Sequence, residues 1–327
     1  MATLSDIARE AGVSVNLVSY VLKKTTPPKS EKHKRILEIA RNMNYVPNRI
    51  ASALITGRTR NISLVCGPEF QLVAKEHFFL HFMNILSAEL TAHGMGLSIY
   101  NTADEEQLKH VLLDGASDAL IWYMPPMPPS IRSLILERNI PCVMLLGQDD
   151  ELDWIDIDDF TGEYRLLEEL WAKGHRHIAF AEIGVGKSPR LQAYEAFCAN
   201  KKIETPKVIR LIGREAVHYA YLKHRILTEI KECSALVLCK DTLAITVCDI
   251  LEDAGISVPD DISIAGYDDL PEAAGYPIPL TTVRQDVEGF TSLIIEHLGK
   301  RIAGEKCKLN FMMQQEPILR ASVKQIW

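Results

Sequence analysis

Residues 182–190 read Glu-Ile-Gly-Val-Gly-Lys-Ser-Pro-Arg, following the apolar run 178–181 and preceding a helical pattern. Counted from Ala181, residues 181–188 satisfy a relaxed phosphate-loop pattern: Ala or Gly, four residues, then Gly-Lys-Ser. That chemistry would place Lys187 on a nucleotide phosphate, and "ALVLCKD" at 235–241 would pose as a strand ending in a metal-binding Asp241. It also requires a helix opening at the Lys-Ser, with backbone N–H groups facing the phosphate. Pro189 removes one such donor immediately afterwards. No other catalytic constellation is visible. The seven cysteines are scattered without a Cys-x-x-Cys pair, which predicts buried core thiols in a reducing compartment, with no metal site and no cofactor. His175 and His177, in "GHRH" before an apolar run, read as structural.

A chain of 327 residues with 47% hydrophobic and 24% charged residues is long enough for two globular domains. No apolar stretch approaches the ~18–20 residues of a membrane span. From residue 62 onward, short apolar runs (62–66, 96–100, 119–123, 142–146, 177–181, 208–212, 235–239 and 262–266) alternate with amphipathic stretches such as 160–173, 189–201, 216–231 and 241–254. This alternation predicts α/β architecture, with parallel sheets covered by helices on both faces. Some 260 residues suit two doubly wound lobes better than one. Ligands of such sheets sit outside the carboxyl ends of the strands, where Lys240, Tyr267 and Asp268 fall.

Net charge is −7 overall, yet residues 1–60 hold 11 Lys and Arg against 4 Asp and Glu, leaving −14 on the remainder. A basic head on an acidic body predicts that the head alone meets a polyanion. Within the head, Leu4, Ile7, Ala8 and Ala11 share a helical face, Thr3 with Asp6 forms a capping-box pattern, and Gly12 ends the helix. Ser14 caps a second helix whose Val18, Val21 and Leu22 point inward, leaving Val15, Asn16, Ser19, Tyr20 and Lys23 outward. A third helix runs from Ser30 or Glu31 to about Met43. This all-α layout is a helix-turn-helix, whose second helix reads the major groove. Pro47 breaks the third helix, and a short helical stretch at 48–55 follows. So short a helix is marginal alone, and Ala51 and Leu54 on one face leave Leu54 free to meet a partner helix or to wedge a base step.

The head resembles the DNA-binding region of the lactose/galactose-repressor (LacI/GalR) family, through "ATLSDIA", "AGVS", Val18-Ser19, "YVPN" and the spacing Ala-x-x-Leu-x-x-Gly-x-Thr. The likeness continues through "GHRHIAF", "AGISVPDDISIAGYDD", "PLTTVRQD" and "EPILRAS". It implies a helix-turn-helix domain at 1–46, a hinge at 47–60, and a two-lobed effector-binding and dimerisation body of the periplasmic-binding-protein type at 61–327. DNA contacts are then expected from Ser14, Val15, Asn16, Ser19, Tyr20, Lys23, Ser30, Ala51 and Leu54, with Leu54 intercalating. Effector contacts are expected from Phe78, Phe79, Arg190, Lys240, Asp268 and Gln285, with Gly184 and Gly186 shaping the turn that delivers Arg190. Trp122 is a weaker aromatic candidate. Two departures stand out. Tyr20 replaces the family's usual Arg or His, which predicts an unusual half-site, and Lys29 occupies a capping-Ser position, so Ser30 takes that job. Lys240 also departs, and a cleft lysine is costly to bury without an anion. The expectation is that Asp268 or an acidic or phosphorylated sugar neutralises it, with Lys187 and Ser188 assisting.

The resulting expectation is a cytoplasmic transcription regulator, not an enzyme. It binds a near-palindromic double-stranded operator as a homodimer and responds to a small carbohydrate-type effector. The start "MATLSDIARE" carries no signal-peptide pattern, and the end "SVKQIW" shows no tetramerising leucine heptad. A phosphate-loop NTPase and a sugar-binding module without DNA function are the competing readings.

Overall fold

The protein, represented by a computed structural model, is described over residues 2–23, 30–45, 53, 56–67, 76–101, 104–212 and 218–326. It divides into two compact units, Met1–Thr59 and Arg60–Trp327.

Among the described residues, the first unit holds the helices α1 (Leu4–Ala11), α2 (Val15–Lys23) and α3 (Glu31–Asn42). Each start is capped locally. Thr3 and Asp6 exchange both hydrogen bonds of a capping box, Ser14 Oγ accepts from the Leu17 N–H, and Ser30 Oγ accepts from the His33 N–H. Gly12 ends α1 at φ 65°, a left-handed conformation that glycine adopts without a Cβ penalty. Ile7, Ala8, Val18, Val21, Ile36 and Ala40 close the small core. Within the segment 47–60, Ala53 and Thr56 are described and helical, and the Gly57 N–H bonds to the Ala53 carbonyl. The expected helix at 48–55, with Ala51 and Leu54, otherwise lies outside the described residues.

In the second unit, strands buried on both faces dictate the architecture. Every residue of β3 (Ala119–Tyr123), β4 (Cys142–Leu145) and β8 (Ala235–Leu238) is buried, the signature of parallel sheets covered by helices. The first lobe is a six-stranded sheet ordered β11-β5-β4-β3-β1-β2, all parallel. Its other strands are β1 (Asn61–Cys66), β2 (Gly96–Asn101), β5 (Asp153–Ile157) and β11 (Asn310–Met313). The second lobe holds a parallel sheet ordered β7-β6-β8-β9, from β6 (Ile178–Ile183), β7 (Lys207–Leu211) and β9 (Ser263–Ala265). An antiparallel pair, β10 (Thr282–Arg284) with β12 (Glu316–Ile318), accompanies it. Separate hydrophobic clusters cover the two faces of each sheet.

The chain passes between the lobes three times: after β5, after β10 and after β11. Strands β5 and β10–β12 are absent from the apolar runs of the sequence. In β5 the sequence Asp-Trp-Ile-Asp-Ile carries carboxylates, and Asp153 is buried because partners surround it. Among the described residues, no helix is long and apolar enough to cross a membrane.

Helix His77–Ala92 packs on helix Val287–Ile302, with Phe82 centred 5.8 Å from both the Tyr123 and the Phe290 rings. Phe82→Ala therefore leaves a cavity in the first lobe and is expected to lower stability by ~3–5 kcal/mol in urea unfolding. Leu80→Ala, on the exposed side of the same helix, is expected to change it by less than about 0.5 kcal/mol.

Candidate functional site

The loop 182–190 is built to hold one side chain. Arg210 donates to Glu182 (2.6 Å) and to the Gly186 carbonyl (2.6 Å), fixing both ends of the turn. Gly184 sits at φ 106°, where a side chain would be strained. Ser188 donates to Glu182 and caps helix Pro189–Asn200 by accepting from the Leu191 N–H. Lys187 is largely exposed and pairs with Glu195 at 2.9 Å. Lys187 and Ser188 are thus engaged within their own loop and helix, whereas Lys240 pairs with Glu76. Asp241 is no metal ligand candidate either. It accepts from Thr282 Oγ1 and the Leu270 N–H, stitching helix Asp241–Asp253 to the neighbouring strands.

Arg190 emerges from this turn into a cluster of groups at the carboxyl ends of the second-lobe strands. Its guanidinium lies 3.6 Å over the Tyr267 ring and donates to the Cys239 carbonyl. Nε is 3.3 Å from Asp159 Oδ2, and Nη2 is 3.8 Å from Asp268 Oδ1. Tyr267 donates its hydroxyl to Asp159 (2.9 Å), and Gln285 donates to Asp268 (2.6 Å). Burial opposes the charge on Arg190, but Asp159, Tyr267 and Asp268 outweigh it and hold the guanidinium protonated. Asp268 itself sits at φ 116°, an uncommon conformation for a non-glycine residue, tied by its N–H to the Val283 carbonyl. Burial pushes its carboxyl up to about 7, against the pull of Arg190.

Lys240, after β8, donates to Glu76 at 2.7 Å. Glu76 opens helix His77–Ala92 of the first lobe, so this pair spans the two lobes. The neutralising partner is thus Glu76, not Asp268, and Lys240 gives no argument for an anionic effector. Phe79, Phe82, Leu86 and Leu90 form the buried stripe of that helix, and Phe79 packs edge-on against Tyr123 at 4.9 Å. Helical spacing thus assigns Phe79 to the core and leaves Phe78 half-buried beside it. Trp122 is likewise core, its indole donating to the Met124 carbonyl.

Asp159, Glu163, Glu76 and Tyr123 belong to this region and were not singled out in the sequence. Glu163, one helical turn beyond Asp159, is completely buried, and neither carboxyl oxygen has a hydrogen-bond partner. Burial pushes it up to about 8, with Arg190 opposing and Asp159 and Glu182 reinforcing. The signal available was positional: helix Asp159–Ala172 starts at the carboxyl end of β5, but β5 itself was hidden by its carboxylates. Among the described residues, no group of three His, Cys, Asp or Glu is placed to hold a metal ion.

On the head, Val15 and Tyr20 are exposed large apolar side chains, Asn16 is exposed and Ser19 half-buried. The Tyr20 ring meets His33 of α3 edge-on at 6.3 Å. Ser14 and Ser30 are occupied as caps. The Lys23 side chain, with Ala51 and Leu54, lies outside the described residues.

Residues 3–48 match the family described as bacterial regulatory proteins, lacI family, and residues 167–323 match a periplasmic binding protein-like domain. The chain thus joins a lacI-family head to a periplasmic-binding-protein-like body. The chain is 27% identical over 341 residues to the HTH-type transcriptional repressor PurR of Histophilus somni (strain 129Pt), covering 99% of each protein. Its fold is similar to that of the Lac repressor dimer bound to operator and the anti-inducer ONPF, with TM-score 0.76, 22% identity and 99% of both chains covered. A LacI family regulator from Enterococcus faecium with bound ribose superimposes with TM-score 0.68 at 20% identity, covering 82% of this chain and all of that one. The relatives that it matches over its full length are HTH-type transcriptional repressors.

Two carboxyls held protonated make stability fall as pH rises. Between the ordinary carboxyl range and about 8, the folded state retains protons that the unfolded chain releases, so the slope of stability with pH is negative there. Urea unfolding across pH 5–9 is expected to show this decline. Glu163→Gln is expected to flatten it and to raise stability by roughly 2 kcal/mol at pH 8. A variant with the same decline would remove Glu163 as its source.

Proposed function

We propose that this protein is a LacI-family repressor that binds a near-palindromic operator as a homodimer, and that a small neutral carbohydrate controls its operator affinity from the cleft between the lobes of the body. The proposed division is a DNA-binding domain at 1–46, a hinge at 47–60 and an effector and dimerisation body at 61–327. The observation that carries the reading is the convergence of Arg190, Asp268, Gln285 and Asp159 at strand ends, beside a lysine–glutamate pair that joins the lobes. Forked donors and paired acceptors in one seat match vicinal hydroxyls, each of which both donates and accepts. Both cations of this seat already face carboxylates, which favours a neutral ligand over a sugar acid or sugar phosphate. Ribose in the Enterococcus faecium relative supports the same class.

On the DNA side, Val15 offers a surface for a thymine methyl, Asn16 offers an amide for adenine, and Tyr20 replaces a guanine-reading arginine with one hydroxyl and a ring. Lys23 and Ser30 would serve phosphates, while Ala51 and Leu54 would pair and wedge at the operator centre. The matched lacI-family head disfavours a binding module without DNA function.

Operator selection from random DNA by the full chain, with and without ribose, cellobiose, gluconate and glucose 6-phosphate, tests both halves. A palindrome whose affinity shifts with a neutral sugar is expected. A shift with the anions alone would contradict the neutral-ligand assignment. Asn16→Ala is expected to cost about 1–3 kcal/mol and to relax one position per half-site.

A further inference from the structure

Outside the cleft, the turn between helix Val287–Ile302 and β11 assembles three groups that effector binding does not use. Cys307 Sγ lies 3.7 Å from His297 Nδ1, and His297 Nε2 lies 2.9 Å from Asp153 Oδ2. Asp153 also accepts from Arg301 (3.1 Å) and the Leu309 N–H (3.0 Å), with Lys308 at 3.9 Å. An acceptor so engaged places the imidazole proton on Nε2 and turns the Nδ1 lone pair toward the thiol. This is the order of an activated nucleophile: thiol, base, and a third group orienting the base. Burying Asp153 requires its donors, but it does not require a thiol on the far side of the imidazole.

Cys307 opens on a cavity of about 470 Å³, lined also by Asn139, Arg301, Gly304, Glu305, Lys306 and Lys308. Three cations therefore stand at this pocket against Glu305, with Asp153 behind and the Lys300–Glu296 ion pair on the adjoining helix end. Arg301 further donates to the Cys307 carbonyl at 3.3 Å, holding the turn in place. Burial raises the thiols of the other six cysteines, which makes them poor competitors at neutral pH.

We propose that Cys307 is a modification site that forms a mixed disulfide with small, carboxylate-bearing disulfides entering this pocket. His297 Nδ1 takes the thiol proton, and the Cys307 thiolate attacks one sulfur of R–S–S–R. The Cys307–sulfur bond forms as the original S–S bond breaks, and the electron pair leaves on R–S⁻, which receives the proton from His297. Cys307 is oxidised and the departing half is reduced. The adduct sits against Arg301, which ties the start of β5 to the turn before β11.

Reduced full-length protein is incubated with oxidised glutathione or with the neutral bis(2-hydroxyethyl) disulfide at pH 6–9, then followed by intact mass and peptide mapping. The first adduct is expected on Cys307, at least about tenfold faster than on any other cysteine. This is read on the unaltered chain, and first modification elsewhere overturns the proposal. His297→Gln is expected to slow the adduct at pH 7 and move its rise to higher pH, and a wild-type rate at every pH overturns the role of the base. Lys306→Glu, at an exposed position, is expected to slow the anionic disulfide more than the neutral one. Equal effects overturn the preference for carboxylates.

Discussion

The seat in the body depends on one buried cation. Arg190 is packed flat on Tyr267, donates to the Cys239 carbonyl and faces Asp159 and Asp268. A guanidinium withdrawn from water is costly unless its charge and donors are answered, and here the answers come from the ends of three strands: Asp159 after β5, Cys239 after β8, and Tyr267 with Asp268 after β9. The loop 182–190 reads in this light as a support. Glu182 and Arg210 brace it, Ser188 caps the next helix, and the Gly-Lys-Ser sequence is spent on turn geometry rather than on a phosphate. Acids crowded around a single guanidinium also explain why burial, rather than ion pairing, governs Asp268 and Glu163.

The lobes are joined by a second charge pair of a different kind. Lys240 and Glu76 are both partly open to water, so their attraction is modest. A ligand that displaces or shields such a pair shifts the balance between lobe arrangements without breaking a core. Useful coupling needs only ~1–3 kcal/mol.

Much of this was legible in the residues. Eight apolar runs became strands, the central β3, β4 and β8 being buried on both faces as in a covered parallel sheet, and Ser30 replaced Lys29 as a cap because a hydroxyl can accept from the helix start. Arg190, Asp268 and Gln285 were named and lie together. What stayed hidden depends on partners far along the chain. Asp153 is buried because Arg301 and His297 reach it from beyond 290, and with it went β5 and the position of Asp159. Lys240 is expected to face Asp268 or an anionic effector, but it pairs with Glu76, 164 residues away, a pairing that no local pattern carries. Phe79, an expected ligand contact, shares its helical spacing with the buried Phe82, Leu86 and Leu90.

Under the proposed function, the stacked guanidinium of Arg190 seats the effector, while Lys240 serves lobe pairing. Calorimetric titration of the neutral sugar panel into the full-length protein and into its Arg190→Lys and Lys240→Met variants tests this directly. A lysine keeps the charge but loses the fork and the stacking face. The sugar bound by the unaltered protein is expected to lose at least about a hundredfold in affinity with Arg190→Lys and to retain measurable binding with Lys240→Met. Undiminished binding by Arg190→Lys, or binding abolished by Lys240→Met alone, would contradict it.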